Sequence, residues 1–398
     1  MAVPVLRFLR ARRGESLWRL GALFARSLLA EGPRPTWRRL RSYVRTVTDA
    51  AEAPRPTADR RGDVLFVAGC PGHPRRWRCE HARERLEAAG RAADVVDHPA
   101  VDLLPFVARY ESFVLQRVPH DATVERFVRA ARAAGKRVVV DVDDLVIHER
   151  YGPELPILAG YGEFARELYV QQLRRIGQVL ALAEAATAPT EELAAELRAC
   201  FPHLDVEVVP NAPSEAMRAR SAAALAAHPD AEDDGDATAP VTFGYFAGTR
   251  THDADLATIT APLAELLRER PHARLLLVGE VEAPAALRPF GDRVERRPPV
   301  PWEELPALLR RADAHLVPLV ESRFTACKSE LKWTEAALVA RPVLAAAVGP
   351  YRRCVRDGEN GWLCRTDADW TRALRAACDA PALRRAFGRA ARADLGDE

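Results

Sequence analysis

The sequence predicts an α/β fold: two Rossmann-like βαβ domains facing a cleft, preceded by a basic, helical N-terminal extension. Three observations carry the prediction. Short apolar runs alternate with helix-length stretches along most of the chain, as in parallel strands covered on both faces. One acidic segment with Pro and Gly, HPDAEDDGDATAP, interrupts the alternation near the middle. A length of 398 residues, 48% of them hydrophobic, suits two domains of ordinary size. The chain is read as an extension over 1–61, a first domain over 62–225, an acidic linker or loop over 226–240 and a second domain over 241–398. Its last helix is a candidate to pack back on the first domain.

The elements follow in order. Residues 1–61 hold 14 arginines against five acidic residues, a local charge of +9, and Leu17, Leu20, Leu23, Phe24 and Leu28 recur near helical spacing. Such a helix either rests on an anionic membrane surface or packs on the main body with its arginines in water. After the Pro-containing break at 53–57, strands are expected at Val64–Ala68, Ala93–Asp97, Ser112–Gln116, Lys136–Val140, Thr187–Thr190 and Val206–Val209. Helices are expected at His81–Ala89, Thr123–Ala134 (with Gly135 at its end), Tyr161–Ala186 and Glu191–Ala199. Residues 221–240 break the pattern. The second series has strands at Val241–Phe246, Arg274–Val278, Arg293–Arg296, His315–Leu319, Pro342–Ala346 and Trp362–Cys364. Its helices are expected at Asp255–Glu269, Trp302–Ala312, Ser329–Val339, Asp369–Cys378 and Pro381–Ala393.

Composition excludes several classes. A net charge of +2 does not suit a dedicated nucleic-acid binder. No stretch of 18 apolar residues lacks a charge, so no transmembrane helix is expected, and arginines interrupt any signal-peptide core. Seven scattered cysteines without a C-x-x-C pair point to free thiols in a reducing cytosol. Only Lys136, Lys328 and Lys332 are lysines; every other cation is Arg. In such a chain a retained lysine pair is informative.

Three constellations carry candidate chemistry. In CKSELKWTEAALVARP, Lys328, Lys332 and Glu335 follow i, i+4, i+7, and a helix beginning at Ser329 would set Lys328, Ser329 and Glu330 beside free N–H groups that favour a phosphate. A carboxylate at Glu335 suits a ribose. The bland alternative is a solvated Lys–Glu face. In GYFAGTRTHDADL, Gly248 permits close approach to phosphates, Arg250 can clamp them, and Thr249 and His252 complete a strand-to-helix loop. In VVVDVDDLVIHE, Asp141, Asp143 and Asp144 follow a strand. They suit a metal, a base or a nucleophile, or else pair with arginines. Leu145 stands where an Asp-x-Asp-x-Thr phosphatase needs Thr.

These segments resemble retaining glycosyltransferases of family 4, which have the two-domain GT-B fold. The branch concerned carries G-Y-x-x-G-T/S-x-T-H-x-x-D, here Gly244 to Asp255, and F-x-x-x-K-S-E-L-K-x-x-E, here Phe324 to Glu335. Thr187–Thr190, Val209-Pro210-Asn211, Leu277-Val278-Gly279 and the turn Asp357–Gly361 support the likeness, which spans roughly 63 to 395. The resemblance implies a nucleotide-diphospho-sugar donor in the second domain and a carbohydrate, lipid-linked or small-molecule acceptor in the first. It implies transfer with retention; the cysteine pattern and the basic extension suggest the cytoplasm, or a peripheral position on the inner membrane face. Lys328 with the Ser329 and Glu330 amides would neutralise the diphosphate, so neither metal nor other cofactor is expected. Glu335 would hold the ribose, and Gly248, Thr249 and Arg250 would contact phosphate. Cys327 stands where the family's E-x7-E has its first Glu; Asp143 and Asp144 lie near the family's His-Asp position and His120 ends the preceding strand, and these three are the catalytic candidates. Two rival readings are a degenerate scaffold subunit of a glycan assembly complex and an Asp-based phosphosugar phosphatase.

Overall fold

The computed structural model describes residues 17–37, 61–98, 101–229, 239–248 and 253–396. It divides into two compact units, 1–214 and 215–398. An N-terminal helix α1 (Leu17–Glu31) precedes the first sheet and packs against α4, defined below. The charged extension beyond it, 1–16 and 38–60, lies outside the described residues.

The first unit holds a parallel six-stranded sheet: β1 (Gly62–Ala68), β2 (Ala93–Asp97), β3 (Tyr110–Gln116), β4 (Arg137–Asp141), β5 (Ala185–Ala188) and β6 (Asp205–Val208). Its spatial order is β2-β1-β3-β4-β5-β6. Helices α2 (His81–Ala88), α3 (Ala122–Ala133), α4 (Glu163–Leu182) and α5 (Glu191–Cys200) join the strands. Their ends obey local chemistry. Asp121 caps α3 by accepting from the Thr123 and Val124 amides at 2.8 Å, and Gly135, at φ +70°, ends it. The expected helix over 161–186 stops at Leu182, because Ala185–Ala188 pair between β4 and β6. The alanines there favour a helix; the two neighbouring strands override them. One π-helical turn, Arg76–Glu80, has no counterpart in the sequence pattern and buries Trp77, Arg78 and Cys79.

The second unit opens with α6 (Glu215–Ala227). The boundary expected at 225 therefore falls at Ser214, and residues 221–227 are helix rather than linker. Met217, Ser221 and Ala224 form its buried stripe, too weak in hydrophobicity to stand out in the sequence. Most of the expected linker, 230–238, lies outside the described residues. A second parallel sheet follows: β7 (Val241–Ala247), β8 (Ala273–Gly279), β9 (Val294–Arg297), β10 (Ala314–Val317), β11 (Val343–Ala346) and β12 (Gly361–Cys364). Its order, β12-β11-β10-β7-β8-β9, is the doubly wound 3-2-1-4-5-6 pattern, with the direction of winding reversing between β7 and β10.

The expected helix over 255–269 is two, α7 (Asp253–Thr258) and α8 (Thr260–Glu269). Pro262 cannot share a continuous helix with the carbonyl four residues before it, and the break falls at Ile259. Next come α9 (Leu305–Arg310), started by Pro306, and the short α10 (Arg323–Ala326) with its Ser322–Thr325 capping box. They are followed by α11 (Leu331–Leu338), α12 (Tyr351–Cys354), α13 (Asp367–Asp379) and α14 (Pro381–Asp394). The last helix, a candidate for the first domain, is fastened to the second: Asn360 Nδ2 and Arg356 Nη1 donate to Asp394 at 2.7 and 2.6 Å. The core of this unit gathers Phe243, Tyr245, Leu275, Leu277, Leu316, Trp333, Leu344 and Leu374 between sheet and helices. All seven cysteines are free thiols; Cys79, Cys327, Cys364 and Cys378 are buried.

Candidate functional site

The lysine pair lies just after β10, at the carboxyl edge of the second sheet, where its winding reverses. Open α/β sheets bind ligands in that place. The chain leaves β10, turns through α10 and enters α11. The helix begins at Leu331, with Glu330 as a cap residue that makes no side-chain capping bond, rather than at Ser329. Lys328, Ser329 and Glu330 therefore occupy the turn before the helix, half-buried beside its N-terminus. Lys332 and Glu335 share a face of the helix itself, so the expected i, i+4, i+7 face is split between turn and helix.

Around these groups the packing is close. Lys332 Nζ stands 5.2 Å from the Tyr245 ring centroid, which ties α11 to β7. Lys328 Nζ stands 4.5 Å from the Phe324 ring. Glu335 is buried at 8% exposure. Loss of water pushes the Lys332 ammonium down to about 8; Asp255 and Glu335 oppose this, and the neighbouring charge of Lys328 adds to it. Asp255, the final residue of the glycine-loop motif, is buried and accepts from the Val320 amide at 2.9 Å. One carboxylate thus holds the loop after β10 and balances Lys332. Tyr351 completes the surroundings. Burial pushes its phenol well up, and Cys354, Asp255, Glu330 and Glu335 act in the same direction. Sequence spacing contained Asp255 but gave it no role, and nothing in the sequence marked Tyr351.

Gly248 is exposed at the end of β7, while Thr249, Arg250 and His252 lie outside the described residues. The strand end is shaped by Gly279 at φ +110°: a Cβ there would stand 1.7 Å from the Ala247 carbonyl oxygen. Only glycine lets β8 approach β7 so closely. Cys327, where the family pattern has a glutamate, is 2% exposed.

In the first unit the acidic cluster is bound up with arginines. Asp141 is 2% exposed; Arg78 Nη2 donates to it at 2.5 Å and Thr187 Oγ1 at 2.7 Å. The same Arg78 donates to the Val209 carbonyl at 2.7 Å and to Asn211 at 3.1 Å, so the Val-Pro-Asn segment is held from below. An acid so enclosed cannot act as the nucleophile of a phosphatase. Arg117 forks between Asp143, through a very short Nε contact, and Asp144 at 3.1 Å. Its φ of +48° is a strained value for a residue with a side chain. Loss of water lifts the Asp143 carboxyl; Arg117 opposes the lift, and Asp144 and Asp141 add to it. His120 faces Glu125 at 3.2 Å, near the start of α3.

Among the described residues, one group could supply three metal ligands: His272, Cys378 and Asp379. His272 precedes β8 and Cys378 and Asp379 end α13, and Arg270 already occupies Asp379 at 2.7 and 2.8 Å.

The family described as "Glycosyl transferases group 1" matches residues 242–380, which contain the lysine pair, Asp255 and Glu335. The D-inositol 3-phosphate glycosyltransferase of Nocardia farcinica is 37% identical over 126 residues, 28% of this chain and 27% of the relative. That of Pseudarthrobacter chlorophenolicus is 32% identical over 165 residues, 38% of each. The chain thus aligns with less than half the length of these curated relatives. Among solved structures, sucrose-phosphate synthase from Thermosynechococcus elongatus is similar with a TM-score of 0.56 at 16% identity, over 84% of this chain and 94% of that one. HepE of Anabaena, solved in complex with UDP, gives 0.54 at 15% identity and the same coverages. These likenesses show the fold, two Rossmann-like domains of the GT-B type.

Proposed function

We propose that the chain is a glycosyltransferase that moves a sugar from a nucleotide-diphospho-sugar to a glycan, lipid-linked or small-molecule acceptor. One observation carries the reading: two of only three lysines in the chain, with the buried Glu335, meet at the N-terminal end of α11 where the sheet's winding reverses. Helix N-terminus and ammonium groups together suit a diphosphate that gains charge as it leaves. Glu335 suits the ribose hydroxyls, and Gly248, with Thr249, Arg250 and His252, the phosphate-facing loop. The placement of the group 1 glycosyltransferase match over this same unit supports the reading, as do the names of the aligned relatives.

Finer assignments follow from the family 4 resemblance. We read the transfer as retaining, from the resemblance alone, and as needing no metal, since Lys328 and Lys332 suit the charge of a diphosphate. A reducing cytoplasm is the compartment this reading takes, and the seven free thiols support it. UDP is the first nucleotide to try, since HepE was solved with it. In calorimetry with UDP, GDP and dTDP, the Lys328→Ala and Glu335→Ala variants are expected to bind the preferred nucleotide at least about tenfold more weakly. Wild-type affinity in both would remove the site.

On the acceptor side, Asp143, Asp144 and His120 remain the candidate groups. Asp143 suits proton acceptance best, because its carboxyl is lifted while Arg117 fixes it. Asp143→Asn should lower turnover at least about tenfold and leave nucleotide affinity unchanged. Unchanged turnover would exclude Asp143. A degenerate scaffold is the second reading, favoured by Cys327 at the place of the first family glutamate; detectable sugar-nucleotide turnover would end it.

A further inference from the structure

His272, Cys378 and Asp379 share no member with the candidate donor and acceptor groups, and their chemistry is that of a metal centre. A ring nitrogen, a sulfur and a carboxylate oxygen lie within 4.8 Å of one another. His272 Nε2 and Cys378 Sγ are 3.3 Å apart. In a tetrahedral zinc centre, with Zn–N of about 2.0 Å and Zn–S of about 2.3 Å, nitrogen and sulfur stand roughly 3.5 Å from each other. The pair already has the spacing that a shared ion requires.

The backbone under each ligand is fixed from elsewhere in the second unit. The His272 carbonyl accepts from the Val241 amide at 3.1 Å, and the Ala273 amide donates to the Arg270 carbonyl at 3.0 Å. Arg293 Nη1 closes the same turn on the carbonyls of Leu267 and Arg270, at 2.7 and 3.1 Å. Cys378 is 3% exposed, and Arg384 of α14 donates to its carbonyl at 3.0 Å and to that of Ala377. Arg375 of α13 donates to Glu265 and Glu269 of α8, at 2.7 and 2.8 Å, and so holds the two helices side by side. Ligands 106 residues apart in sequence are thus brought together with little left to reorganise.

Arg270 forks onto Asp379 with one N–H to each oxygen. An ionised carboxylate offers about four lone-pair sites, so the fork leaves roughly half of them for an ion. Outer hydrogen bonds of this kind orient carboxylates that ligate metals. Asp379 is exposed and His272 half-buried, so water reaches the group and can supply a fourth ligand. We propose that His272, Cys378 and Asp379 bind one zinc ion, which staples the turn before β8 to the end of α13. Thiolate and imidazole select zinc over magnesium and calcium, which take oxygen ligands. As the S–Zn bond forms, the Cys378 thiol gives its proton to water. The ion holds structure and takes no part in sugar transfer, and the proposal does not rest on the donor-site reading.

The test is titration of the full chain, freed of metal by a chelator, with Co2+, whose spectrum reports its ligands. One equivalent is expected to give the intense visible bands of a tetrahedral centre and a near-ultraviolet thiolate-to-cobalt band, and Zn2+ should displace both. Cys378→Ser should abolish the thiolate band. Calorimetry should show Zn2+ binding at least about a hundredfold weaker in Cys378→Ser and in His272→Ala, each checked for folding by circular dichroism. Zn2+, and not Mg2+, should raise the thermal midpoint of the wild type and leave that of Cys378→Ser in place. Cys200→Ser, in the first unit, and Lys328→Ala, in the donor site, should bind Co2+ as the wild type does, so loss of the donor-site reading leaves the staple standing. An octahedral cobalt spectrum without a thiolate band overturns the proposal. So does undiminished Zn2+ binding in either Cys378→Ser or His272→Ala.

Discussion

Lys332 is half-buried, and loss of water, opposed by Asp255 and Glu335, pushes its ammonium down to about 8. A base with a lowered pKa is charged below that value and neutral above it. UDP affinity is therefore expected to fall between pH 7.5 and pH 9, by up to about tenfold, as the cation disappears. In Lys332→Arg the charge persists, so the same titration should be flat. Calorimetry at three pH values decides it; a flat wild-type profile would place Lys332 out of reach of the diphosphate. The same shift acts on folding. Between pH 8 and the ordinary value of 10.5 the unfolded chain holds more of this proton, so the residue's contribution to stability improves as pH rises through that range. The lysines were legible because the chain has so few. Asp255 and Tyr351 were not, because their roles arise only when α7, distant in sequence, and α12, one strand further on, are brought close to Lys332 and Glu335.

Elements are fixed here by a few residues that tolerate no replacement. Gly279 sits opposite Ala247 in the β7–β8 register, and its missing Cβ makes that approach possible. Gly279→Ala is expected to destabilise the fold by at least about 3 kcal/mol, through the clash with the Ala247 carbonyl and the unfavourable φ. A urea midpoint within error of the wild type would show that the backbone can yield. Strands were the most legible elements, since β-branched and leucine runs ending in Gly or Pro carry both their period and their limits. Asp205–Val208 was found within a residue from such a run, VEVVP. Helix limits were less so. Pro262 divides one expected helix into two, and α11 begins at Leu331, after Glu330, where Ser329 had the better cap chemistry. The π-helical turn at Arg76–Glu80 left no trace, because what it buries is an arginine whose partner, Asp141, belongs to another strand.

At the scale of the molecule, the division after Ser214 moves α6 into the second unit. There it packs on α9 and α11, Arg310 donates to the His228 carbonyl at 2.8 Å, and Arg220 lies 5.2 Å from the Trp302 ring. A chain beginning at 215 should melt cooperatively, and one beginning at 240 should be less stable by at least about 2 kcal/mol, having lost buried Met217 and Ala224. Equal thermal midpoints for the two would place the boundary beyond α6. Composition had shown two units of about the right size; an alanine- and arginine-rich helix beside an acidic stretch hid where one ended.

The free thiols give both units a means of being timed. Burial raises Cys79 in the first unit, and holds Cys364 at about 12 and Cys378 at about 11 in the second. A thiol in that state reacts with an alkylating reagent only after its surroundings open. The rate at which each is modified then reports the breathing of the β-sheet nearest to it. The chain carries native chronometers in both halves, and ligand-induced tightening of one half can be read against the other in a single mass spectrum.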